Sequence, residues 1–375
     1  MVTRTLYRFS YVRLVAAALV ISLCLLLAAF SACWSWPQKG FPLDWGSFVA
    51  SGRAAAARLD PYDVYPLTFR AYDAWEGVVE LPNLNPPISV LAFRVLAAAD
   101  PTASHRVWYV VSFLMYGCAA ALLLWGQPRE VVIWRSTWAL SLAALWHTLQ
   151  LGQIYVPLLL AAAGAWVLLR GGRPWQAGIL IGLVVAIKPN LAFWPLLLLL
   201  GGYGLVGGSA VASAIVVSLL PVFAYGPRIY TRWLAACASF DSVVLPGNGS
   251  LLALASRLGA PWLGNLLTAV LVVGTATLVW RRRPPALVTS GLGIVVSLLA
   301  SPICWLGYTM LLLPTLMARK WTLSLRAAAF ILTIPFPLVV QQFQLSRPRF
   351  VVFGSIYGVA LLLALLEFCR EALRQ

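Results

Sequence analysis

Two residues of opposite charge stand out in an apolar chain of 375 residues: Asp44, in "PLDWGSFVASGRAAAARLDPY" (42–62), and Lys188, in "AIKPN" (186–190). A single carboxylate ahead of a small-residue helix can cap that helix, or it can take a proton from a hydroxyl at a membrane surface. Ser47 is able to cap the following turn by itself, which leaves Asp44 free. An ammonium between two apolar runs costs roughly 2.5 kcal/mol or more at a bilayer centre and marks a functional candidate, unless it snorkels to the interface. Pro189 breaks the helix beside Lys188 and lets the lysine reach a polar cavity. Arg347 and Arg349, in "QLSRPRF", offer further positive charge to an anion or to headgroups. Six other acids read as structural: Asp60 and Asp63 as turn formers, Asp73, Glu76 and Glu80 on a solvated face, and Asp100 initiating a turn before Pro101, while Asp241 in the later outer loop has no rank from sequence. His105 and His147 have no ligand partner three or four residues on, so no metal site is indicated. The chain has no GxSxG, Walker A, HExxH or GxGxxG in a strand–helix setting.

The elements that must position these groups are membrane helices. Hydrophobic residues make up 61% of the chain and charged residues 10%. That much apolar surface excludes a soluble fold and predicts an all-α, polytopic integral membrane protein. The net charge of +16 is read loop by loop, as topology, with no nucleic acid as partner. The N-terminus resembles a signal peptide, but its apolar run from Leu14 to Phe30 is of spanning length and reads as a retained signal anchor. Six cysteines without a CxxC pair read as packing residues.

About twelve spans are expected, near 12–34, 105–126, 134–151, 154–170, 174–188, 189–204, 207–225, 260–280, 286–301, 303–318, 322–343 and 350–370. With both termini cytoplasmic, 15 of the 27 basic residues and three of the 11 acids fall inside. Inside carries +12 and outside +4, as the positive-inside rule requires. "PPISVLAFRVLAAAD" is too short to span and reads as an interfacial or re-entrant outer helix, with Arg94 reaching the headgroups. The chain is then one transmembrane domain, 1–375, with a first extracytoplasmic loop at 35–104 and a second at 226–259. The first loop carries interfacial helices near 47–58 and 87–98.

The polar breaks in the apolar pattern fall on the outer face: the Asp44 loop, "LQLGQIY" (149–155), "AIKPN", "LPGNGSLLALASRL" (245–258), "ASPICW" (300–305) and "QLSRPRF". The inner joints are short basic or featureless turns. An elaborate outer surface predicts a site there, in a cell (plasma or inner) membrane. Asp44 is its candidate catalytic residue. Lys188, Arg347, Gln153, Asn248 and Trp305 are candidate contacts to a donor phosphate or substrate, and membrane lipids surround them.

The order of these motifs resembles the polyprenyl-phosphate-mannose-dependent mannosyltransferases of glycosyltransferase family 87, which have the GT-C membrane fold. The resemblance is carried by "DWGSFVASGRAAAARLDPYDVY", "LNPPISVLAFRVLAAADP", the stretch from "LQLGQIY" to "LAFWPLLLLL", "GNGSLLALASRL" and "SPICW", and covers about 44–314. It implies Asp44 as general base, a polyprenyl-phosphate sugar donor and a lipid or glycan acceptor outside the cytoplasm. No cofactor is implied, and a divalent metal is left open. The chain departs from the family pattern at three places: "LNPP" (84–87) stands where "YPP" is usual, Tyr155 replaces an Asn, and Leu306, Gly307 and Tyr308 occupy a region where histidines follow the tryptophan. Two other functions compete: a transporter or flippase of lipid-linked sugar, or a non-catalytic family member acting as an assembly partner. The first would call for charges lining a path and two related halves, and only Lys188 is a candidate for such a charge.

Overall fold

A computed structural model describes residues 43–73, 77–239, 243–343 and 346–374. The expected signal anchor, Cys24, Cys33, Glu76 and Asp241 lie outside the described residues. The described part begins with α1 (Leu43–Ala56), an antiparallel ribbon of β1 (Phe69–Asp73) and β2 (Gly77–Leu81), and α2 (Pro87–Arg94). The ribbon departs from the all-helical expectation, and Asp73 and Glu80 belong to its strands. α1 starts earlier than expected, so Asp44 sits in its first turn and not in the loop before it. α1 and α2 cross at Gly52, where a Cβ would lie 2.5 Å from the Phe93 carbonyl oxygen. Arg53 then staples α1 to the chain beyond α2, donating to the carbonyls of Ala97 and Ala99.

Next come α3 (Pro101–Leu124), α4 (Arg129–Leu140), α5 (Ala143–Leu151), α6 (Tyr155–Arg170) and α7 (Pro174–Ile187). Asp100 caps α3 by accepting from the Ala103 amide at 2.7 Å. After Lys188 and a short 3-10 turn (Pro189–Leu191) the chain continues through α8 (Phe193–Leu200), α9 (Gly204–Tyr225), α10 (Arg228–Ala238), α11 (Leu251–Arg257), α12 (Pro261–Arg282) and α13 (Ala286–Ala300). A 3-10 segment (Leu306–Leu312), α14 (Leu313–Met317), α15 (Leu323–Ile331), α16 (Phe336–Phe343), α17 (Arg347–Gly354) and α18 (Ile356–Leu373) complete it. Every residue of α13 from Val288 to Leu299 is buried, which makes it a central helix. Gly178 and Gly182, four apart on α7, meet the backbone of α9 with no room for a Cβ, the small-residue contact by which membrane helices approach closely.

Three of these helices, α3, α9 and α12, are long and apolar enough to cross a membrane, or up to five spans exist if two bent pairs each count as one. Their outward faces keep large apolar side chains exposed, such as Leu114, Phe223 and Val273, which suits lipid. Each expected span from 105 onward corresponds to a helix or a pair, but several are broken where hydropathy is uninterrupted. The segment 134–151 divides into α4 and α5: Ser141 Oγ bonds back to the Thr137 carbonyl, and the Ala143 amide leaves for the Leu332 carbonyl, local competition that loosens a helix. The segment 322–343 bends by 80° between α15 and α16, at Pro335, whose ring cannot continue a helix. The segment 303–318 winds largely as 3-10 helix. The span near 350–370 starts at Arg347 and turns by 45° before α18. The interfacial helix near 87–98 keeps only eight helical residues, ending at Arg94, whose guanidinium stands 5.9 Å from the Tyr225 ring centre.

Candidate active site

Asp44 meets Gln153 through a close packing of two backbones. α5 ends at Gly152, in the left-handed conformation at φ +70°, and a Cβ there would come within 2.7 Å of the Trp45 Cβ. Only glycine satisfies both demands. The result presents Gln153 to α1, and its Nε2 donates to Asp44 Oδ2 at 2.6 Å. Asp44 therefore spends a carboxylate oxygen on a tertiary contact. Ser47 Oγ bonds the Leu81 carbonyl, tying α1 to the ribbon. Burial pushes the Asp44 carboxyl up from 3.8 to about 6, while the Gln153 hydrogen bond and the charge of Lys188 pull the other way. A carboxylate with that pKa is poised to accept a proton near neutral pH.

Lys188 caps the end of α7, and its side chain is 9% exposed. Its ammonium donates to Asn85 Oδ1 at 2.6 Å and stands 5.0 and 5.1 Å from the ring centres of Tyr155 and Tyr308. Those two rings pack at 4.6 Å. Gly307 gives them room, since a Cβ there would run into the Tyr155 ring. Lys188 forms no ion pair with Asp44, yet is near enough to lower its pKa. A buried cation answered by ring faces and one amide oxygen keeps its net charge. The three places where the chain departs from the family pattern, Asn85, Tyr155 and Tyr308, thus all lie against this one lysine.

The remaining candidates are arranged differently. Asn248 is fully buried, and its amide is saturated within the protein: Nδ2 donates to the Val243 and Pro302 carbonyls, and Oδ1 accepts from the Ser250 and Cys304 amides. It joins the 243–250 loop to "SPICW" and has no hydrogen-bonding position left for a substrate. Arg257 completes that joint from α11, donating to the carbonyls of Val244, Leu245 and Asn248 and to Ser355 Oγ. Trp305 is half-buried at the head of the 3-10 segment that carries Tyr308. Asn190 Nδ2 reaches Ser301 Oγ at 3.4 Å, linking "KPN" to the same joint. Arg347 is exposed on α17, with no hydrogen-bond or ion-pair partner among the described residues, and shares no contact with Asp44 or Lys188. Asp60 and Asp63 both accept backbone amides in the turn at 60–64, and Asp60 also pairs with Arg232 at 3.3 Å.

Residue-by-residue reading missed Asn83, Asn85 and Tyr62. Asn83 and Asn85 are buried polar side chains in "LPNLNPP", where the Asn pair two apart ahead of two prolines was the available signal. Trp233 of α10 bonds the Leu84 carbonyl at 3.0 Å, so the two long loops close over the same segment.

No curated protein and no solved structure matches the chain. A family model, Glycosyltransferase family 87, matches residues 83–302. That segment begins at Asn83 and takes in Asn85, Gln153, Tyr155 and Lys188, while Asp44 lies upstream of it. The match covers more than half of the sequence, and the chain belongs to glycosyltransferase family 87.

Proposed function

We propose that the protein is a polytopic glycosyltransferase of GT-C type, with about twelve spans and cytoplasmic termini, in the cell membrane. It moves mannose from a polyprenyl-phosphate donor to a lipid or glycan acceptor outside the cytoplasm. The supporting observation is the pairing of a raised-pKa carboxylate, Asp44, with a buried ammonium, Lys188, that it does not neutralise. A sugar hydroxyl is a poor nucleophile, and Asp44 takes its proton as the oxygen attacks the anomeric carbon. The bond to the lipid phosphate breaks in the same step, and Lys188 offsets the charge left on the phosphate. One base and one departing phosphate make a single displacement, with inversion at the anomeric carbon. Gln153 holds the base in orientation. The scheme assigns no step to a divalent metal, so a chelator leaves transfer unchanged.

The test is incubation of purified protein with polyprenyl-phosphate mannose and membrane glycolipids, with products read by mass spectrometry. A mannosylated glycolipid with inverted configuration supports the proposal. Transfer from another polyprenyl-phosphate sugar alone would revise the sugar, and movement of intact lipid-sugar across liposomes without product would replace transfer by transport. Product formed only when a second protein is added would mean an assembly partner.

A further inference from the structure

The hydrogen bonds behind Lys188 all run in one direction. Lys188 Nζ donates to Asn85 Oδ1 at 2.6 Å, and Asn85 donates to Asn83 Oδ1 through both Nδ2 (3.2 Å) and its backbone amide (3.0 Å). Asn83 Nδ2 donates in turn to Ser51 Oγ and Ser89 Oγ, each at 3.1 Å, and Ser89 Oγ passes on to the Pro86 carbonyl at 2.8 Å. The amide orientations follow from the chemistry. An ammonium has only donors, so Asn85 must turn its oxygen to it, and its nitrogen then needs the oxygen of Asn83. Asn83, with that oxygen taken twice, has donors left for two hydroxyls.

Every member is buried, where an unmet polar group would cost about 1–3 kcal/mol. The Tyr62 hydroxyl donates to the Asn85 carbonyl at 3.0 Å, and Pro86 and Pro87 stiffen the chain that follows. Ser51 lies on α1, seven residues and about two helical turns after Asp44. Base and cation are therefore registered to one another through one helix.

We propose that Asn85 and Asn83 are positioning residues that aim the Lys188 ammonium and leave its charge uncancelled for an anionic ligand. The identity of that ligand as a lipid phosphate rests on the donor role proposed for Lys188 above. An amide oxygen supplies a dipole without net charge. A carboxylate at 85 would form a buried ion pair and remove the charge an incoming phosphate needs. The other ionisable groups facing the lysine are Asp44 on α1, Tyr155 on α6, Cys237 on α10 and Tyr308 on the 3-10 segment, and none forms an ion pair with it.

The test compares Asn85→Asp, Asn85→Ala and Asn83→Ala by donor kinetics and by acylation of lysine amines. Asn85→Asp keeps the shape and the bond to Lys188 but gives up the side-chain donor to Asn83 Oδ1, so a merely structural role would show in the thermal midpoint and not in the donor KM. The proposal requires instead that it raise the donor KM by about tenfold or more at a retained thermal midpoint. Acylation is followed by mass spectrometry, with exposed Lys320 as the reference among the three lysines. Lys188 should react about tenfold faster in Asn85→Ala and in Asn83→Ala, and more slowly in Asn85→Asp. If the wild type transfers no sugar from polyprenyl phosphate, the donor reading fails, and acylation still decides the positioning role. Wild-type acylation rates in the folded alanine variants would overturn it. Should those not fold, a wild-type Lys188 acylation rate in Asn85→Asp would do the same.

Discussion

Lys188 and Arg257 are both buried cations at loop joints, and neither has a carboxylate partner among the described residues, but their surroundings differ. Arg257 has four acceptors, the carbonyls of Val244, Leu245 and Asn248 and the Ser355 hydroxyl. Among the described residues Lys188 has one, the Asn85 amide oxygen, and otherwise faces two tyrosine rings. A guanidinium presents five donors in a fixed fork, and here four contacts use it to fasten the 243–250 loop to the junction of α17 and α18. An ammonium is a point charge with three donors, and two of its three are not committed to a protein oxygen. The contrast separates a cation that builds the joint from a cation that serves it.

Neutralising each cation in turn breaks the comparison most sharply. Lys188→Met should reduce transfer about 10²- to 10³-fold and lower stability by no more than about 1 kcal/mol, since the buried charge is relieved while one amide oxygen, Asn85 Oδ1, loses its donor. Arg257→Met should instead lower stability by about 3 kcal/mol, because carbonyls buried around the guanidinium lose their donors. Equal losses of activity and stability in both variants would erase the distinction. Thermal unfolding in detergent beside sugar-transfer rates reads both.

A smaller effect is expected at Gly152. Alanine there must adopt positive φ and displace Trp45, at roughly 1–2 kcal/mol of strain. Gln153 then shifts from Asp44, and kcat should fall about tenfold with little change in donor KM. An unchanged kcat would mean that the Gln153 contact does not orient the base.

The pH profile sharpens the link between the two charges with the smallest change. With Asp44 as the proposed base, activity should fall as pH drops through about 6. Lys188 holds that value down, so removing its charge in Lys188→Met should move the acid limb of the residual activity to higher pH. An acid limb that stays put would mean that the two groups do not sense one another.

Asp44, Lys188 and the "GQ" joint were legible because each is a polar interruption in an apolar pattern, and the bilayer makes such interruptions costly. Helix identity was legible for the same reason. The breaks at Ser141 and Pro335 were not, since apolar side chains continue across them and the backbone groups freed there are satisfied by long-range partners such as the Leu332 carbonyl. Asn248 looked like a substrate contact because an Asn in a Gly-rich loop carries no sign of its partners, and its Cys304 partner lies 56 positions away. Tyr155 and Tyr308 stood out only as departures from a family pattern. Their common neighbour, Lys188, becomes apparent only when α6, α7 and the 3-10 segment pack together.

The most direct test of the central claim is the transfer rate of purified Asp44→Asn, measured with its thermal midpoint. The asparagine keeps an oxygen for Gln153 and cannot take a proton. The unfolded chain ionises Asp44 near 3.8 and the folded protein near 6, so the charged form costs stability once pH rises through that window. The variant should therefore be more stable than wild type at pH 7, by on the order of 1–3 kcal/mol before solvent screening. Transfer should fall by at least about 10³-fold in a protein that melts at or above the wild-type temperature. Wild-type transfer by the folded Asp44→Asn protein would contradict it.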